Sequence, residues 1–147
     1  MCVRGSKRCY NKVMKQDNKI TGATGERAAA ELLRKKGYEI LERNFQTKFG
    51  EIDIVAKPHP RGERSSHLGG VTVFVEVKTK TSDEFGEPWE MVNQYKLEQV
   101  KRMGELWNIK NNWQGQCRID VVGVWLKEGQ VDKIEHWKKN FFKAKNL

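Results

Sequence analysis

The segment 71–78 constrains the fold of this chain more than any other, because it joins a strand composition to two opposite charges. Its β-branched and aromatic residues are typical of a buried strand. Side chains two positions apart on a strand point to the same face, so Glu76 and Lys78 should leave the sheet together. Val75 and Val77 then face the other way, into apolar packing. The segment therefore predicts a rigid strand that presents a carboxylate and an ammonium group at one place.

Hydrophobic periodicity and turn residues predict one α/β domain over residues 21–147. An amphipathic helix is expected from Thr21 to about Lys36, where Gly37 ends it, and a second helix is expected to open at Pro88. Strands are expected at 38–45, 50–57, 71–78, 118–126 and 131–137. This order predicts a central mixed sheet flanked by helices. The segment 58–70, rich in Pro, Gly, Ser and charge, forms a long connection whose role stays open.

Charge and composition indicate the partner and the compartment. Residues 1–20 carry six basic residues and one acid, Asp17, with little apolar periodicity, and they are predicted to form a flexible basic arm. The whole chain has a formal charge of +9, which favours a polyanionic partner such as nucleic acid or a membrane surface, with a merely basic protein as the alternative. No apolar stretch approaches the roughly 20 residues of a membrane span, so no membrane partner is expected. With no apolar leader and three widely spaced cysteines, we expect a cytoplasmic protein without a disulfide framework or a zinc site.

Two carboxylates are predicted to meet on neighbouring strands. Consecutive strands usually pair, so the second and third strands should be antiparallel and should place Asp53 beside Glu76. Carboxylates this close repel each other unless they share a cation or a proton. Mg²⁺ commonly takes one or two carboxylates together with water and phosphate oxygens. A lysine such as Lys78 can orient or deprotonate the attacking water, or stabilise transition-state charge. The pattern indicates metal-assisted phosphodiester hydrolysis, with a surface salt-bridge network across the hairpin as the alternative.

Two further charged residues fall on apolar helix faces. Glu26 lies beside the stripe that ends at Leu33; from position alone, a first-turn carboxylate favoured by the helix dipole is the simpler interpretation, and an interior polar site is the alternative. Lys96 lies on the seam between Val92 and Val100, where a lysine usually packs its stem and sends its head to water. On the fourth strand, Asp120 with Arg118 as its partner predicts a fold-supporting polar pair, with a role at the site as the alternative.

Other hydrolytic and nucleotide-dependent chemistries lack their motifs. The chain has three histidines, none in a metal-ligand spacing, and it contains neither a GxxxxGK[ST] loop nor a GxSxG elbow. The carboxylate–lysine hypothesis is therefore the one that the sequence supports.

Several short motifs, taken in order and at their spacings, resemble a known family. They are 25–29 (GERAA), 37–41 (GYEIL), 43–45 (RNF), 50–54 (GEIDI), 74–78 (FVEVK), 85–86 (FG), Val92 with Lys96, and 118–121 (RIDV). The set resembles the YraN family of predicted endonucleases in the PD-(D/E)xK superfamily, and it is similar in layout to archaeal Holliday-junction resolvases. The resemblance covers roughly residues 21–142 and implies a restriction-endonuclease-like fold.

The resemblance also implies a set of site residues and a cofactor. Asp53 and Glu76 would bind Mg²⁺ or Mn²⁺, with the main-chain carbonyl of Val77 as a third protein ligand. Glu26 would reach the same metal from its helix, which reverses the interpretation drawn from its position. Lys78 would be the catalytic lysine.

The remaining implications concern Lys96 and the partners. Lys96 matches a helix position that reaches toward such sites, so it is included as an auxiliary catalytic residue. DNA is favoured over RNA as the substrate, and because related resolvases work as dimers, a homodimer is expected. A nucleic-acid-binding module of the same fold with little or no turnover is the alternative function, and a protein-interaction adaptor is a third.

Overall fold

The structure is a computed structural model that describes residues 7–59, 70–81, 90 and 92–144, with only the main chain described for residues 7–13. Two helices and five strands follow one another along the chain. They are α1 (Lys7–Lys35), β1 (Tyr38–Thr47), β2 (Gly50–Pro58), β3 (Val71–Lys80), α2 (Gln94–Lys110), β4 (Gln116–Lys127) and β5 (Gln130–Lys143).

The strands form one mixed sheet in the order β1-β2-β3-β4-β5. β3 and β4 are parallel, because α2 lies in the crossover between them, and the other neighbouring strands are antiparallel. The predicted α/β class, with a mixed sheet flanked by helices, is confirmed and is consistent with a restriction-endonuclease-like fold. No helix among the described residues is long and apolar enough to cross a membrane.

Alternation along β3 divides the core into two layers. Val73 and Val75 pack with Leu33 of α1 on one face of the sheet. Phe74 packs with Met103 and other residues of α2 on the opposite face. Since side chains alternate along a strand, Glu76 and Lys78 lie on the α2 face, as the sequence predicts.

Two glycines let the helices approach the sheet closely. A Cβ on Gly104 of α2 would lie 2.6 Å from the ring of Phe74, which is too close for any side chain. A Cβ on Gly25 of α1 would overlap Oγ1 of Thr79 on β3. Gly25 therefore allows α1 to sit directly on the strand that carries Glu76 and Lys78.

The first helix begins earlier than predicted. The expected start at Thr21 is wrong, because α1 begins at Lys7, so the basic segment expected to be a flexible arm is helical from Lys7 onward. Residues 14–20 of α1 are all exposed, so they carry no apolar stripe from which a helix could be predicted. The predicted end is confirmed: Gly37 has φ +87° and its N–H donates to the carbonyl of Arg34 at 3.0 Å. Residues 1–6 lie outside the described residues.

The second helix begins later than predicted. α2 starts at Gln94, and the side chain of Asn93 caps it by accepting from the N–H of Lys96 at 3.0 Å. Pro88, where the helix is expected to open, lies outside the described residues. β5 runs on to Lys143, well past the predicted end at Trp137.

A buried polar network joins β4, β5 and the start of β1. The predicted pair is confirmed: Arg118 binds Asp120 with Nε to Oδ1 at 2.6 Å and a second nitrogen to Oδ2 at 2.8 Å. His136 lies 2.6 Å from the same Oδ2, and Arg118 donates to the hydroxyl of Tyr38 at 2.7 Å. Burial would raise the pKa of Asp120, but the hydrogen bonds and positive charge of His136 and Arg118 outweigh burial and lower it.

Candidate active site

The site lies where β2 and β3 separate. Their ladder pairs Val73, Phe74 and Val75 of β3 with β2, and its last pair is Ile54 with Val75. Beyond this pair, a side-chain hydrogen bond replaces the main-chain pairing. Oδ2 of Asp53, the residue before Ile54, accepts from the N–H of Val77 at 2.7 Å. In an extended strand the N–H and C=O of one residue point to the same edge, so the carbonyl of Val77 faces the same gap.

Two positively charged side chains converge on the carboxylate of Glu76. Its side chain is 5% exposed, and Oε1 lies 3.1 Å from Nζ of Lys78 and 3.3 Å from Nζ of Lys96. The geometry confirms that Glu76 and Lys78 share a face. It also shows that Lys96, in the first turn of α2, turns its head to a buried carboxylate rather than to bulk water. Because Glu76 is buried, the cluster is not a surface salt-bridge network across the hairpin.

Among the acids at the site, Asp53 has the most strongly shifted pKa. Burial raises the pKa of Asp53, and the negative charge of Glu76 raises it further, to about 7. The hydrogen bond from Val77 acts in the opposite direction and does not compensate. A carboxyl group in this position resists ionisation until a positive charge arrives, which is the behaviour expected of a ligand for a hard cation.

Glu26 reaches the site from the middle of α1. The close contact of Gly25 with Thr79 sets the helix against β3 one residue before Glu26. Burial raises the pKa of Glu26, and the charges of Glu51 and Glu76 add to this effect. The first-turn interpretation of Glu26 is wrong, because α1 begins at Lys7 and the carboxyl lies far from the helix terminus.

Three residues around Glu26 were not identified from the sequence as parts of the site. The positive charge of Arg43 and a hydrogen bond from Asn44 both favour the Glu26 carboxylate, opposing its burial. Asn44 has φ +54°, a left-handed conformation within β1 that asparagine tolerates better than most residues. Glu51 adds negative charge that acts on both Glu26 and Asp53. Arg43, Asn44 and Glu51 come close to Glu26 only through the pairing of strands, which the sequence does not show locally. The positive φ of Asn44 is the one local feature that a residue preference could have indicated.

The oxygen atoms at the site are of the kind that Mg²⁺ and Mn²⁺ prefer. Within the part of the chain that the structure describes, no group of three or more His, Cys, Asp or Glu side chains is arranged to hold a metal ion. Asp53, Glu76 and the carbonyl of Val77 nonetheless offer the small set of protein oxygens that Mg²⁺ requires when water and a phosphate complete its shell. Glu26 lies near enough to act on Asp53 and Glu76 electrostatically. The donor set contains neither sulfur nor imidazole, which disfavours zinc.

Comparison with known proteins places the chain among relatives that have no characterised activity. Residues 25–124 match the family model described as "Uncharacterised protein family UPF0102". A UPF0102 protein of Pelobacter propionicus is 41% identical over 121 residues, covering 82% of this chain and 81% of its own length. One from Caldanaerobacter subterraneus subsp. tengcongensis is 39% identical over 127 residues, covering 84% and 96%. One from Nocardia farcinica is 37% identical over 127 residues, covering 85% and 91%.

Proposed function

The chain belongs to the uncharacterised family UPF0102, and we propose that it is a metal-dependent endonuclease of the PD-(D/E)xK superfamily that hydrolyses phosphodiester bonds in nucleic acid, with DNA as the favoured substrate. One observation carries the proposal. Two buried carboxylates, Asp53 and Glu76, lie where the sheet ladder opens, and two lysines converge on one of them.

Mg²⁺ or Mn²⁺ is the proposed cofactor. Asp53, Glu76 and the carbonyl of Val77 would hold it, and Glu26 would complete the acidic side of the site. When bound, the ion would polarise the phosphodiester and lower the pKa of a bound water. The raised pKa of Asp53 supports this assignment, since it comes first from burial and then from the negative charge of Glu76, and a bound cation would offset both.

The lysines have distinct positions relative to the reacting phosphate. Lys78 leaves β3 beside Glu76, with its ammonium group 3.1 Å from Oε1, so its place is fixed by both the strand and the ion pair. From there it donates hydrogen bonds to the attacking water and stabilises negative charge that develops on the phosphate. Lys96 approaches the same oxygen from α2 and holds Glu76 in its orientation. Glu76 thus aligns both lysines as well as offering an oxygen to the cation.

The test is cleavage of supercoiled, branched and single-stranded DNA, and of RNA, in Mg²⁺ or Mn²⁺. Glu76→Gln and Lys78→Ala should each lower the rate by about 100-fold or more, as loss of a charge-stabilising group does. Asp132→Asn and Lys143→Ala change exposed residues of β5 in the same way and should cut like the parent. If Glu76→Gln and Lys78→Ala also cut like the parent, the site assignment is wrong.

Calorimetric titration with Mn²⁺ separates the enzyme from the binding module. The proposal expects saturable binding by the parent and its loss in Glu76→Gln. Salt-sensitive nucleic-acid binding with neither Mn²⁺ binding nor products would instead establish a module without turnover.

A further inference from the structure

The amino-terminal part of α1 is an exposed basic helix that extends away from the candidate active site. Residues 14–20 are fully helical and all exposed, and burial of α1 begins only at Gly25, next to Glu26. The family-model match begins at residue 25, so this part of the helix precedes the matched region. The helix therefore connects the site directly to a projecting segment.

The positive charges of this segment are in line with the site carboxylate. Lys19 and Lys15 precede Glu26 by seven and eleven residues, which at 3.6 residues per turn places each within about 20° of Glu26 around the helix axis. Asp17, nine residues before Glu26, falls about 180° away, on the opposite face. Both lysines are exposed, and neither has an ion-pair partner among the residues that the structure describes. The sequence continues the same spacing with Lys12 and Arg8.

The length of the stripe matches a run of phosphates. At 1.5 Å per residue, Lys15 lies about 16 Å from Glu26 along the axis and position 8 lies about 27 Å away. A nucleic acid strand in a duplex carries one charge per roughly 3.4 Å of axis, so the stripe spans about five to eight phosphates. Cations at these positions neutralise phosphates without reading bases.

We propose that the stripe of Lys15 and Lys19 is a second nucleic-acid contact, which binds the backbone of the substrate on one side of the cleavage site. This inference rests on the proposed function, because it takes nucleic acid as the partner. The contact also defines how the substrate is oriented: the duplex extends from Glu26 along α1. An anionic membrane is the competing partner for a basic helix, but a stripe collinear with a site carboxylate favours a polymer that also enters the site.

The test measures binding to a duplex of about 25 base pairs in chelator, where no cleavage occurs, by fluorescence anisotropy across a salt series. Each phosphate contact contributes about 0.9 to the slope of log K against log salt, so Lys15→Gln/Lys19→Gln should reduce the slope by about two. Glutamine keeps helix propensity close to that of lysine, and circular dichroism checks this.

Lys110→Gln/Lys143→Gln is the matched control for net charge. Lys110 lies fourteen residues beyond Lys96, about 21 Å along α2, and Lys143 lies opposite Gln116 at the far end of β4. The control removes the same two charges and should keep the parent's slope.

The outcomes separate this inference from the proposed function. If Lys15→Gln/Lys19→Gln keeps the parent's slope, or changes it only as much as the control does, the stripe does not bind nucleic acid, whatever the parent cleaves. If the slope falls as expected but no variant or parent cleaves any substrate, the contact stands and the endonuclease proposal fails. If vesicles of phosphatidylserine retain the parent but not the double variant while the DNA slope is unchanged, the stripe binds membranes and the inference is overturned.

Discussion

Replacing Asp53 by asparagine should stabilise the protein at alkaline pH in the absence of metal. The pKa of Asp53 is raised from 3.8 to about 7 by burial and by the charge of Glu76. Between these two values the folded state keeps a proton that the unfolded state has released, so the free energy of unfolding falls as pH rises from about 4 to about 7. At 1.36 kcal/mol per pH unit, the full penalty is roughly 4 kcal/mol above pH 7.

The Asp53→Asn variant lacks this ionisation and keeps an amide oxygen that can accept the N–H of Val77. We expect its free energy of unfolding to exceed the parent's by up to about 4 kcal/mol at pH 8 and to approach the parent's near pH 4. The assay is urea unfolding in chelator, followed by tryptophan fluorescence, because Trp107 is buried against the ring of Phe74. Asp132→Asn, at an exposed position of β5, is the control and should show no such pH-dependent gain.

A constant difference between Asp53→Asn and the parent from pH 4 to pH 8 would refute the reasoning. It would mean that the Asp53 carboxyl ionises in the folded protein as easily as in the unfolded chain. The negative charge of Glu76 would then be balanced by Lys78 and Lys96, and the site would hold no excess negative charge that favours a cation.

Three further predictions concern metal, packing and the buried network. At pH 8, Mn²⁺ at 100 times its dissociation constant should raise the parent's free energy of unfolding by about 2.7 kcal/mol and should leave Asp53→Asn nearly unchanged in a urea titration. Gly25→Ala should cost about 1–3 kcal/mol in the same assay, because its Cβ would overlap Thr79; Thr79→Ala should recover part of that loss, and simple addition of the two effects would contradict the contact. Asp120→Asn should cost about 3–5 kcal/mol at pH 7, since it leaves Arg118 buried without its carboxylate; the lowered pKa of Asp120 means that the parent loses this stability only as pH falls into the acid range, and an unchanged urea midpoint would contradict the role of the network.

The strands could be predicted because buried strands have a recognisable apolar sequence pattern. Segment 71–78 lies between two helix layers, so nearly every position is apolar until Glu76, and the departure from that pattern marked the site. The convergence of Asp53 and Glu76 followed from a general pairing preference of consecutive strands. These predictions depended on local composition and on one topological rule, and both held.

The helix starts could not be predicted for two different physical reasons. Residues 14–20 of α1 are all exposed, so no apolar stripe distinguishes this part of the helix from a flexible tail. For α2, the predicted apolar seam extends back to Val92, so periodicity does not mark Asn93 as the residue that caps the helix. The structure uses Asn93, whose side chain accepts from Lys96 N–H, and this choice also brings Lys96 into the first turn, facing Glu76.

The polar surroundings of Glu26 depend on three separate chain segments and leave no local signal. Arg43 and Asn44 come from β1, Glu51 comes from β2, and all three act on a residue of α1. Their grouping requires the register of the β1–β2 hairpin and the depth at which α1 sits on β3. Gly25 controls that depth, and its importance appears only when Thr79 is known to lie against it.

The pairing of β3 explains why the two sides of the site should respond differently to a cation. β3 pairs with β4 along its whole length, from Val71 to Lys80, so Glu76 and Lys78 are held by a continuous ladder. With β2 the pairing ends at Val75, and Asp53 is joined to β3 by a side-chain hydrogen bond rather than by a main-chain ladder. Under the proposed function, Glu76 and Lys78 would form a fixed frame, and Asp53 would be the metal ligand whose position depends less on β3. A site built in this way would combine the rigid geometry that catalysis requires with one carboxylate held by a side-chain contact, whose pKa is raised by burial and by the negative charge of Glu76.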